Sequence, residues 1–483
     1  MKGATSHIRR MLLSACLVPL SACTVGPDYK APVLPAGADA PLVSEVAAAT
    51  LQQAPAPVTG SDEPPDAWWT LYHDEALNGL VREALAANTD LAVAAATVAA
   101  ARAQLTSARE ALLPRTGLDA AGIYGRDPTT DEILELGGHE PANLWLYHAI
   151  FEVSYEIDLW GHVRRSIEAA RADEAAARAA RDTVRITIAA ETVRAYAEVC
   201  ALSEQVGVAQ QSLDVAGNQL RITTERRDAG AGSDFDVVRA QALEAQVRAS
   251  LAPLEGERRV AVLELTRLLG RTPANAAAVT CDRPPPLPVV LPVGDGVALI
   301  RRRPDVRQAE QRLHAATARI GVATSLLYPR ISLLGDVGGA NTELNTLFNN
   351  DGLAWGLGPG IAWEFPNQSG VRARIAQAQA GSDAALAAFD GTVLTALKEA
   401  QAALARYATG LQRHAALEQA KVHADRAFDM AREQYLAGSS SHLELLTAQQ
   451  SAITADAASA AADGAVAQEQ VALFKALGGG WRQ

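Results

Sequence analysis

The sequence predicts a mainly α-helical protein with a transmembrane β-barrel portion, built by tandem duplication of one unit. Three observations predict this class. Residues recur at a constant spacing along the 483-residue chain, each copy holds two segments that alternate between apolar and polar residues, and each copy continues as a long alanine-rich segment. Alanine favours helix, and alternation is typical of strands.

The duplication can be followed residue by residue. Asp90 and Pro114 recur as Asp305 and Pro329, at an offset of about 215 residues. Further on, the offset is about 208 residues, and it relates Val163, Glu191, Gly230, Ala240 and Leu269 to Val371, Glu399, Gly438, Ala448 and Leu477. So constant an offset indicates two copies of one structural unit, each of roughly 200 residues.

Together with an export signal at the N-terminus, this pattern divides the chain into five parts. They are a lipoprotein signal peptide (1–22), a lipid-anchored tether (23–66), a first repeat (67–275), a linker (276–294) and a second repeat (295–480). Proline and alanine dominate the tether, which predicts an extended segment along the protein surface.

The N-terminus has the features of an export signal. Basic residues precede a short apolar core at 11–20, which is too short to span a bilayer. The following Leu20-Ser21-Ala22-Cys23 resembles the lipobox of bacterial lipoproteins, whose cysteine becomes the acylated first residue. Thr24 in place of aspartate resembles lipoproteins sorted to the outer membrane. The alternative is an ordinary secretory signal with a chance cysteine.

Composition and motifs exclude several functions. The formal charge is −12, and loss of the signal peptide with its three basic and no acidic residues makes it −15, which argues against a nucleic-acid partner. The sequence lacks zinc-protease, phosphate-loop and paired-cysteine metal motifs. We therefore expect neither an enzyme nor a bound cofactor or metal, apart from a covalent lipid such as palmitate on Cys23.

Two of the four cysteines remain after the signal peptide and the lipid site are set aside. They are Cys200, in a helical segment, and Cys281, beside the linker. They lack metal-ligand spacing. A disulfide is open to them in an oxidising periplasm, and our prediction is two free thiols.

The first repeat begins with a mostly helical segment at 68–113, followed by a strand at 116–125. The clearest strand is 145–159, and the second repeat holds matching strands at 331–340 and 353–365. In the clearest strand one face carries Trp145, Tyr147, Ala149, Phe151, Val153, Tyr155, Ile157 and Leu159, and the other carries His148, Glu152, Ser154, Glu156 and Asp158. Strands of about 9–11 residues with an aromatic outer face are typical of membrane barrels.

Four strands in one chain are too few for a barrel. The smallest bacterial barrels have about eight, and an open sheet edge in lipid leaves backbone groups unpaired. We therefore expect the chain to pool its strands with other copies, and three copies would give twelve strands. The alternative is a soluble hairpin attached to a helical domain.

The helical segments carry small and apolar residues at alternating steps of three and four, as in a coiled coil. The first, at about 159–227, would extend roughly 100 Å. A compact globule rarely needs a helix of this length, whereas a wide tube or a helix bundle does. The alternative is an antiparallel coiled-coil dimer.

Each repeat has a polar turn between its two long helices. Gly230 and Gly438 are expected to end the descending helices, and Ser233 and Ser441 to cap the ascending ones. The equivalent acids Asp236 and Glu444 would then lie in the first helical turn. They either pair with the helix dipole or form a ring of acids at a constriction, six in a trimer.

Several of these segments occur together in one family. The lipobox followed by Val-Gly-Pro-Asp-Tyr at 25–29, the strand end Ile-Asp-Leu-Trp-Gly at 157–161, and the Tyr435-x-x-Gly438 turn resemble the TolC/OprM outer-membrane factors, and the NodT-type lipoprotein branch above all. The resemblance implies a homotrimer with a twelve-stranded β-barrel in the outer membrane, continued through the periplasm by a long α-helical barrel. It also implies a periplasmic adaptor (membrane fusion) protein and an inner-membrane pump, commonly of the resistance-nodulation-division class.

The resemblance also suggests roles for the turns. Asp236 and Glu444 match acids of the periplasmic gate, while Thr447 stands where a second acid often occurs. Gly230, Tyr435, Gly438 and Leu445 resemble the groove that receives adaptor hairpins.

We therefore predict a passive exit duct for small molecules such as drugs or toxic compounds. The alternatives are a type I secretion duct, a general diffusion porin and a structural periplasmic coiled-coil lipoprotein. The lipobox favours small-molecule efflux, by family analogy.

Overall fold

The computed structural model describes residues 24–38, 40, 58–59, 65–126, 132, 136, 143–285, 291–292, 296–349 and 352–479. The predicted signal peptide and the lipidation site Cys23 lie outside the described residues.

The elements recur in the same order in both halves of the chain. The first half holds helices α1 (Glu75–Ala87) and α2 (Thr89–Glu110), strands β2 (Arg115–Gly125) and β3 (Leu144–Ile157), and helices α3 (His162–Asp228) and α4 (Asp234–Leu268). The second half holds α5 (Gly296–Arg302), α6 (Pro304–Ser325), β5 (Arg330–Asn341), β6 (Leu353–Ala362), α7 (Ser369–Leu436) and α8 (His442–Ala476). The long helices are close in length, 67 against 68 residues and 35 against 35.

The remaining elements are short. Single 3₁₀ turns lie at Trp68–Tyr72, Pro273–Asn275 and Leu344–Thr346. The tether and the linker meet in a parallel pair of two-residue strands, β1 (Val58–Thr59) and β4 (Leu291–Pro292). The sequence did not predict this pair.

The chain divides into two compact units, and each unit takes residues from both repeats. The first comprises Met1–Pro32, Ala99–Ala176 and Ala309–Ala388, and the second Val33–Val98, Ala177–Gln308 and Phe389–Gln483. The four strands of the hairpins lie in the first unit, and the polar turns lie in the second.

The first unit contains an antiparallel sheet of four strands in the order β2-β3-β5-β6. Its register confirms the predicted alternation. Phe151 lies between Leu118 and Val337, and Val337 lies beside Trp355, so these exposed apolar residues share one face. The other face carries Glu152 and Asp336 side by side. Among the described residues, the edge strands β2 and β6 have no further partner.

The strands end at an aromatic contact. Trp160, just after β3, stacks on Tyr328 at 4.6 Å between ring centroids and donates from Nε1 to the carbonyl of Pro329 at 2.9 Å. The predicted last strand was too long at its C-terminal end. It ends at Ala362, and Trp363 instead donates to the carbonyl of Leu327 at 3.1 Å.

The segment that follows Cys23 is held in the first unit. The amide of Val25 donates to the carbonyl of Trp160 at 3.1 Å, and the buried Arg165 donates to the carboxylate of Asp28 at 2.6 Å. Tyr29 stacks on His314 at 4.1 Å and donates to Glu310 at 3.1 Å. This anchored start fits the predicted tether along the protein surface.

The second unit contains the largest apolar core. Trp68 stacks on Phe474 at 4.6 Å within a cluster that draws on the first 3₁₀ turn and on α1, α3, α7 and α8. The duplication is visible in its hydrogen bonds. Asn88 donates to the carbonyl of Leu268 at 3.0 Å, and its counterpart Arg303 donates to the carbonyl of Ala476 at 3.1 Å.

The prediction of two free thiols was wrong. Cys200 in α3 and Cys281 in the linker form a disulfide, with 5.2 Å between their Cα atoms. The linker folds back onto α3, where Cys200 is buried and Val279 and Cys281 pack against the same apolar core. The bridge joins residues far apart in sequence, and local sequence pattern carries no information about such an approach.

Length and composition alone would allow α2 to cross a membrane, and only 11% of its apolar window is buried. We assign the membrane-spanning role to the sheet instead, because its exposed apolar face carries aromatic residues and alternates with a polar face.

Candidate functional site

The two polar turns in the second unit form the candidate site. In the first, Gly230 has a φ of 74°, its amide donates to the carbonyl of Arg227 at 2.9 Å, and the amide of Ala231 donates to the carbonyl of Arg226 at 2.8 Å. Gly438 has the same φ and makes the equivalent bond to Tyr435 at 3.1 Å. Glycine adopts this left-handed conformation without steric cost, so both predicted helix ends are confirmed.

The predicted N-caps are also confirmed. Ser233 and Ser441 cap α4 and α8, and each forms a reciprocal capping box with the third residue of its helix, Asp236 or Glu444. Each acid therefore closes its own turn, since the serine hydroxyl accepts from the acid's amide while the carboxylate accepts from the serine amide. The described contacts do not join the two acids to each other.

Both carboxylates are stabilised in their charged form. Hydrogen bonds from Ser233, above all from its hydroxyl, hold the pKa of Asp236 below its ordinary value, against the opposing effect of burial. The backbone N–H of Ser441 and the hydroxyls of Ser440 and Ser441 likewise lower the pKa of the exposed Glu444. These acids remain negative at neutral pH and below.

A buried histidine joins the two turns. His442 Nδ1 lies 3.2 Å from Asp236 Oδ1, and its Nε2 lies 3.2 Å from the hydroxyl oxygen of Thr223 in α3. Burial lowers the pKa of His442 and outweighs the nearby carboxylate. The sequence analysis missed His442, although it directly follows the Ser441 cap.

The predicted adaptor-contact side chains are mostly internal. Leu445 is 0% exposed, and Tyr435 is buried against Arg226, whose guanidinium lies 4.5 Å from the ring centroid. The ring of Tyr435 also contacts that of His442 at 5.5 Å. Tyr435 and Leu445 therefore maintain the shape of the turns, as Gly230 and Gly438 do through the backbone.

Other apolar side chains around the turns point outward. They are Phe235, Val238, Leu436 and Leu443, all exposed. The sequence analysis missed them, and the available signal was the apolar residue type at positions next to the caps, outside the buried stripe. Exposed apolar side chains that gather in one place are typical of an interaction surface, and these four flank two turns that His442 joins.

A basic side chain lies among the acids of the first turn. Arg227 pairs with Asp228 and with Asp234, so basic residues balance part of the acid in the first turn. Thr447 donates its hydroxyl to the carbonyl of Leu443 at 2.8 Å and adds no charge. Within the described residues no group of three or more His, Cys, Asp or Glu side chains could hold a metal ion.

The chain matches known proteins over almost its whole length. A family model described as "Outer membrane efflux protein" matches residues 80–271 and 297–479. The chain is 31% identical to outer membrane protein OprJ of Pseudomonas aeruginosa, over 97% of this chain and 96% of that protein. It is 30% identical to the pyoverdine export outer membrane protein OpmQ of Pseudomonas putida, over 97% of each.

The fold is also that of a solved channel. The structure of the outer-membrane channel OprN superimposes with a TM-score of 0.84 at 33% identity, over 95% of this chain and 100% of that one. The overall fold of this chain is therefore that of a known channel architecture.

Proposed function

The chain belongs to the outer membrane efflux protein family, and we propose that three copies of it form the exit duct of a tripartite efflux system. As a member of the family it is an outer-membrane efflux channel with a periplasmic extension. The observation that carries the trimer is the four-stranded sheet, whose edge strands β2 and β6 lack further partners among the described residues. Three such sheets give a closed barrel of twelve strands, which leaves no edge in lipid.

The duct performs no chemistry of its own in this proposal. An inner-membrane pump, of the resistance-nodulation-division class, supplies the energy and selects the cargo. The word "export" in the name of the OpmQ relative supports outward transport. Small molecules such as drugs and toxic compounds are the proposed cargo.

Asp236 and Glu444 form the acidic lining of the periplasmic entrance. Their support is the capping geometry, which holds both carboxylates charged at fixed positions in the first turns of α4 and α8. In a trimer they would number six, and a ring of like charge in a narrow pore attracts counter-ions.

The adaptor contacts the same turns. Gly230, Tyr435, Gly438 and Leu445 shape this surface, and the exposed Phe235, Val238, Leu436 and Leu443 supply its apolar area. Burial of apolar side chains at roughly 25 cal/mol per Å² would drive this association.

Cys23 carries a lipid in this proposal. The support comes from the next residues. A Cβ built on Gly161 would lie 2.7 Å from Thr24 Cγ2, and Val25 bonds to Trp160, so Thr24 lies beside the ends of the strands. An acyl chain on the preceding residue would then start at the membrane edge. Replacement of Cys23 by serine should abolish incorporation of labelled palmitate; incorporation into that variant would exclude Cys23 as the acceptor.

The test of the duct is the mass and conductance of the purified protein in detergent. We expect a trimer that forms open channels in planar bilayers, at a concentration where protein-free detergent gives none. In cells lacking their own outer-membrane efflux channel, the protein with its cognate adaptor and pump should restore drug resistance. A single subunit without conductance would overturn the proposal.

A further inference from the structure

The segment that joins β5 to β6 folds back against the sheet. We refer to residues 342–349 as the β5–β6 loop. It contains the 3₁₀ turn at Leu344–Thr346, and Leu347, the residue after this turn, is 5% exposed. Gly339 of β5 is buried, whereas Val337, two residues earlier on the same face, is 43% exposed. The loop therefore covers the end of the strand at Gly339.

The covered side of the sheet is the apolar one. Gly339 is paired with Ala149 of β3, and Ala149 lies two residues from Phe151, on the same face. A Cβ built on Gly339 would overlap the carbonyl oxygen of Leu347. Glycine in a strand permits such an approach of another backbone segment, so the loop lies on the face that we assign to lipid.

The β5–β6 loop begins at an end of the sheet that is rich in aromatic residues. The opposite ends of β3 and β6 lead into α3 and α7, so the loop lies at the outer surface of the outer membrane. Tyr147 is paired with Asn341, next to the loop. Its ring stacks on Trp145 at 5.6 Å, and Trp145 contacts Tyr124 at 5.4 Å. Aromatic rings at strand ends are typical of the level where headgroups meet acyl chains.

Two apolar side chains of the loop point outward. Leu344 and Phe348 lie on either side of the buried Leu347, and each is 65% exposed. Such side chains are unfavourable in water and favourable where they can be buried at a membrane boundary. Glu343 is the only charged residue in 342–349, so burial of Leu344 and Phe348 draws little charge towards the lipid.

The backbone of the loop is paired within the loop and with the start of β6. The amide of Thr346 donates to the carbonyl of Glu343 at 3.2 Å, and that of Asn349 to the carbonyl of Thr346 at 3.1 Å. The amides of Gly352 and Leu353 donate to the carbonyl of Asn349 at 2.9 and 3.0 Å. Unpaired backbone groups are unfavourable in lipid, and these bonds reduce their number at the membrane boundary.

We propose that the β5–β6 loop is a membrane anchor, which binds the acyl chains of the outer leaflet through Leu344 and Phe348. The occupant of this apolar surface is lipid, because the surface continues the lipid-facing side of the sheet at Gly339. The loop then lies beside the exit of the channel and leaves it open. The inference goes beyond the proposed efflux function, since it depends on the position of the sheet in the membrane and not on cargo, adaptor or pump.

The test measures the depth of spin labels in the full-length protein, reconstituted in lipid bilayers. A nitroxide is attached at one added cysteine, Phe348→Cys or Leu344→Cys, and the unmodified protein treated in the same way gives the background. Collisions with oxygen, which concentrates in lipid, should exceed those with a water-soluble nickel complex several-fold at both positions. Val337→Cys and Asp336→Cys are the lipid and water references, because these neighbours lie on opposite faces of β5.

Gly339→Val tests the contact between the loop and the sheet. The valine side chain would take the place of the carbonyl of Leu347 and displace the loop, so nickel collisions at Phe348→Cys should rise several-fold. Gly117→Val is the matched control on β2, because no atom of the described residues lies within 4 Å of its built Cβ. It should leave the collisions at Phe348→Cys unchanged.

Two results would overturn the anchor. One is a label at Phe348→Cys that meets the nickel complex as often as the label at Asp336→Cys. The other is a change in single-channel conductance when Leu344 and Phe348 are both replaced by serine, since the loop would then lie in the exit itself. A conducting trimer still supports the exit duct in either case. A single non-conducting subunit overturns the duct, and the depth of the labels still decides the anchor.

Discussion

His442 Nδ1 lies 3.2 Å from Asp236 Oδ1, and this contact joins the first turn of α8 to the first turn of α4. The histidine is buried, and burial lowers its pKa from the ordinary value, which is about 6.5 in an unfolded chain. The carboxylate of Asp236 opposes this shift, while Arg239 and Arg226 add to it. His442 therefore binds a proton less readily in the joined turns than in the separated turns.

The sign of the pH dependence follows. The contribution of His442 to the stability of the joined turns is fully present above a pH of about 6.5. It decreases as the pH falls below this value, because the histidine of the separated turns then binds a proton more readily. Amide exchange in residues 229–236 and 437–446, corrected for intrinsic rates, should therefore be several-fold faster at pH 5.5 than at pH 7.5. His442→Gln should remove most of this difference. An equal pH response in that variant would remove His442 from the account.

Asp236 and Glu444, the acids of the proposed entrance, should set ion selectivity. Asp236→Asn with Glu444→Gln removes the charges but keeps side chains that can hydrogen-bond at the third helical position. We expect a lower ratio of cation to anion permeability in planar-bilayer reversal potentials. Thr447→Glu is the matched opposite, since it adds an acid on the exposed face one turn further along α8, and it should raise the ratio. Unchanged selectivity in the double variant would exclude both acids from the gate.

Local signals in the sequence were sufficient for the long helices, the four strands of the hairpins and the polar turns. Gly230 and Ser233 act through the backbone of their own turn, so their roles could be read from residue type and position. The alternation around Phe151 fixed the faces of the sheet for the same reason. The contact of His442 with Thr223 and the bridge from Cys200 to Cys281 depend on segments that approach only after folding, and no local pattern reports that approach.

The disulfide should stabilise the second unit. Its ends are 81 residues apart, and a link across so long a loop stabilises a protein by about 2–5 kcal/mol, chiefly by restricting the unfolded chain. Cys281→Ser should lower the thermal midpoint and speed proteolysis within 276–294. Cys200→Ala with Cys281→Ser should behave like Cys281→Ser alone, because the link is already absent.

Thiol titration checks the pairing directly. The denatured, acylated protein should present no reactive thiol before reduction and two after it. Two reactive thiols without reductant would show that Cys200 and Cys281 are free in the cell-derived protein, as the sequence analysis had expected.

Docking of the residues after Cys23 should depend on Gly26 and Arg165. Gly26 has a φ of 88°, and a Cβ built on it would lie 2.5 Å from the Cα of Gly321, so alanine at this position meets both backbone strain and a clash. Arg165 has a side chain that is only 5% exposed, and it donates to Asp28 and to the carbonyls of Val25 and Gly26.

Gly26→Ala and Arg165→Ala should therefore each release residues 24–32 from the first unit. We expect faster protease cleavage in this segment, with a loss of about 1–3 kcal/mol for the charged hydrogen bonds of Arg165. Gly79→Ala is the matched control, because no atom lies within 4 Å of its built Cβ and alanine favours helix. Labelled-lipid incorporation should be unchanged in all three variants. If Gly26→Ala and Arg165→Ala were cleaved no faster than the unmodified protein, acylation alone would hold the segment in place.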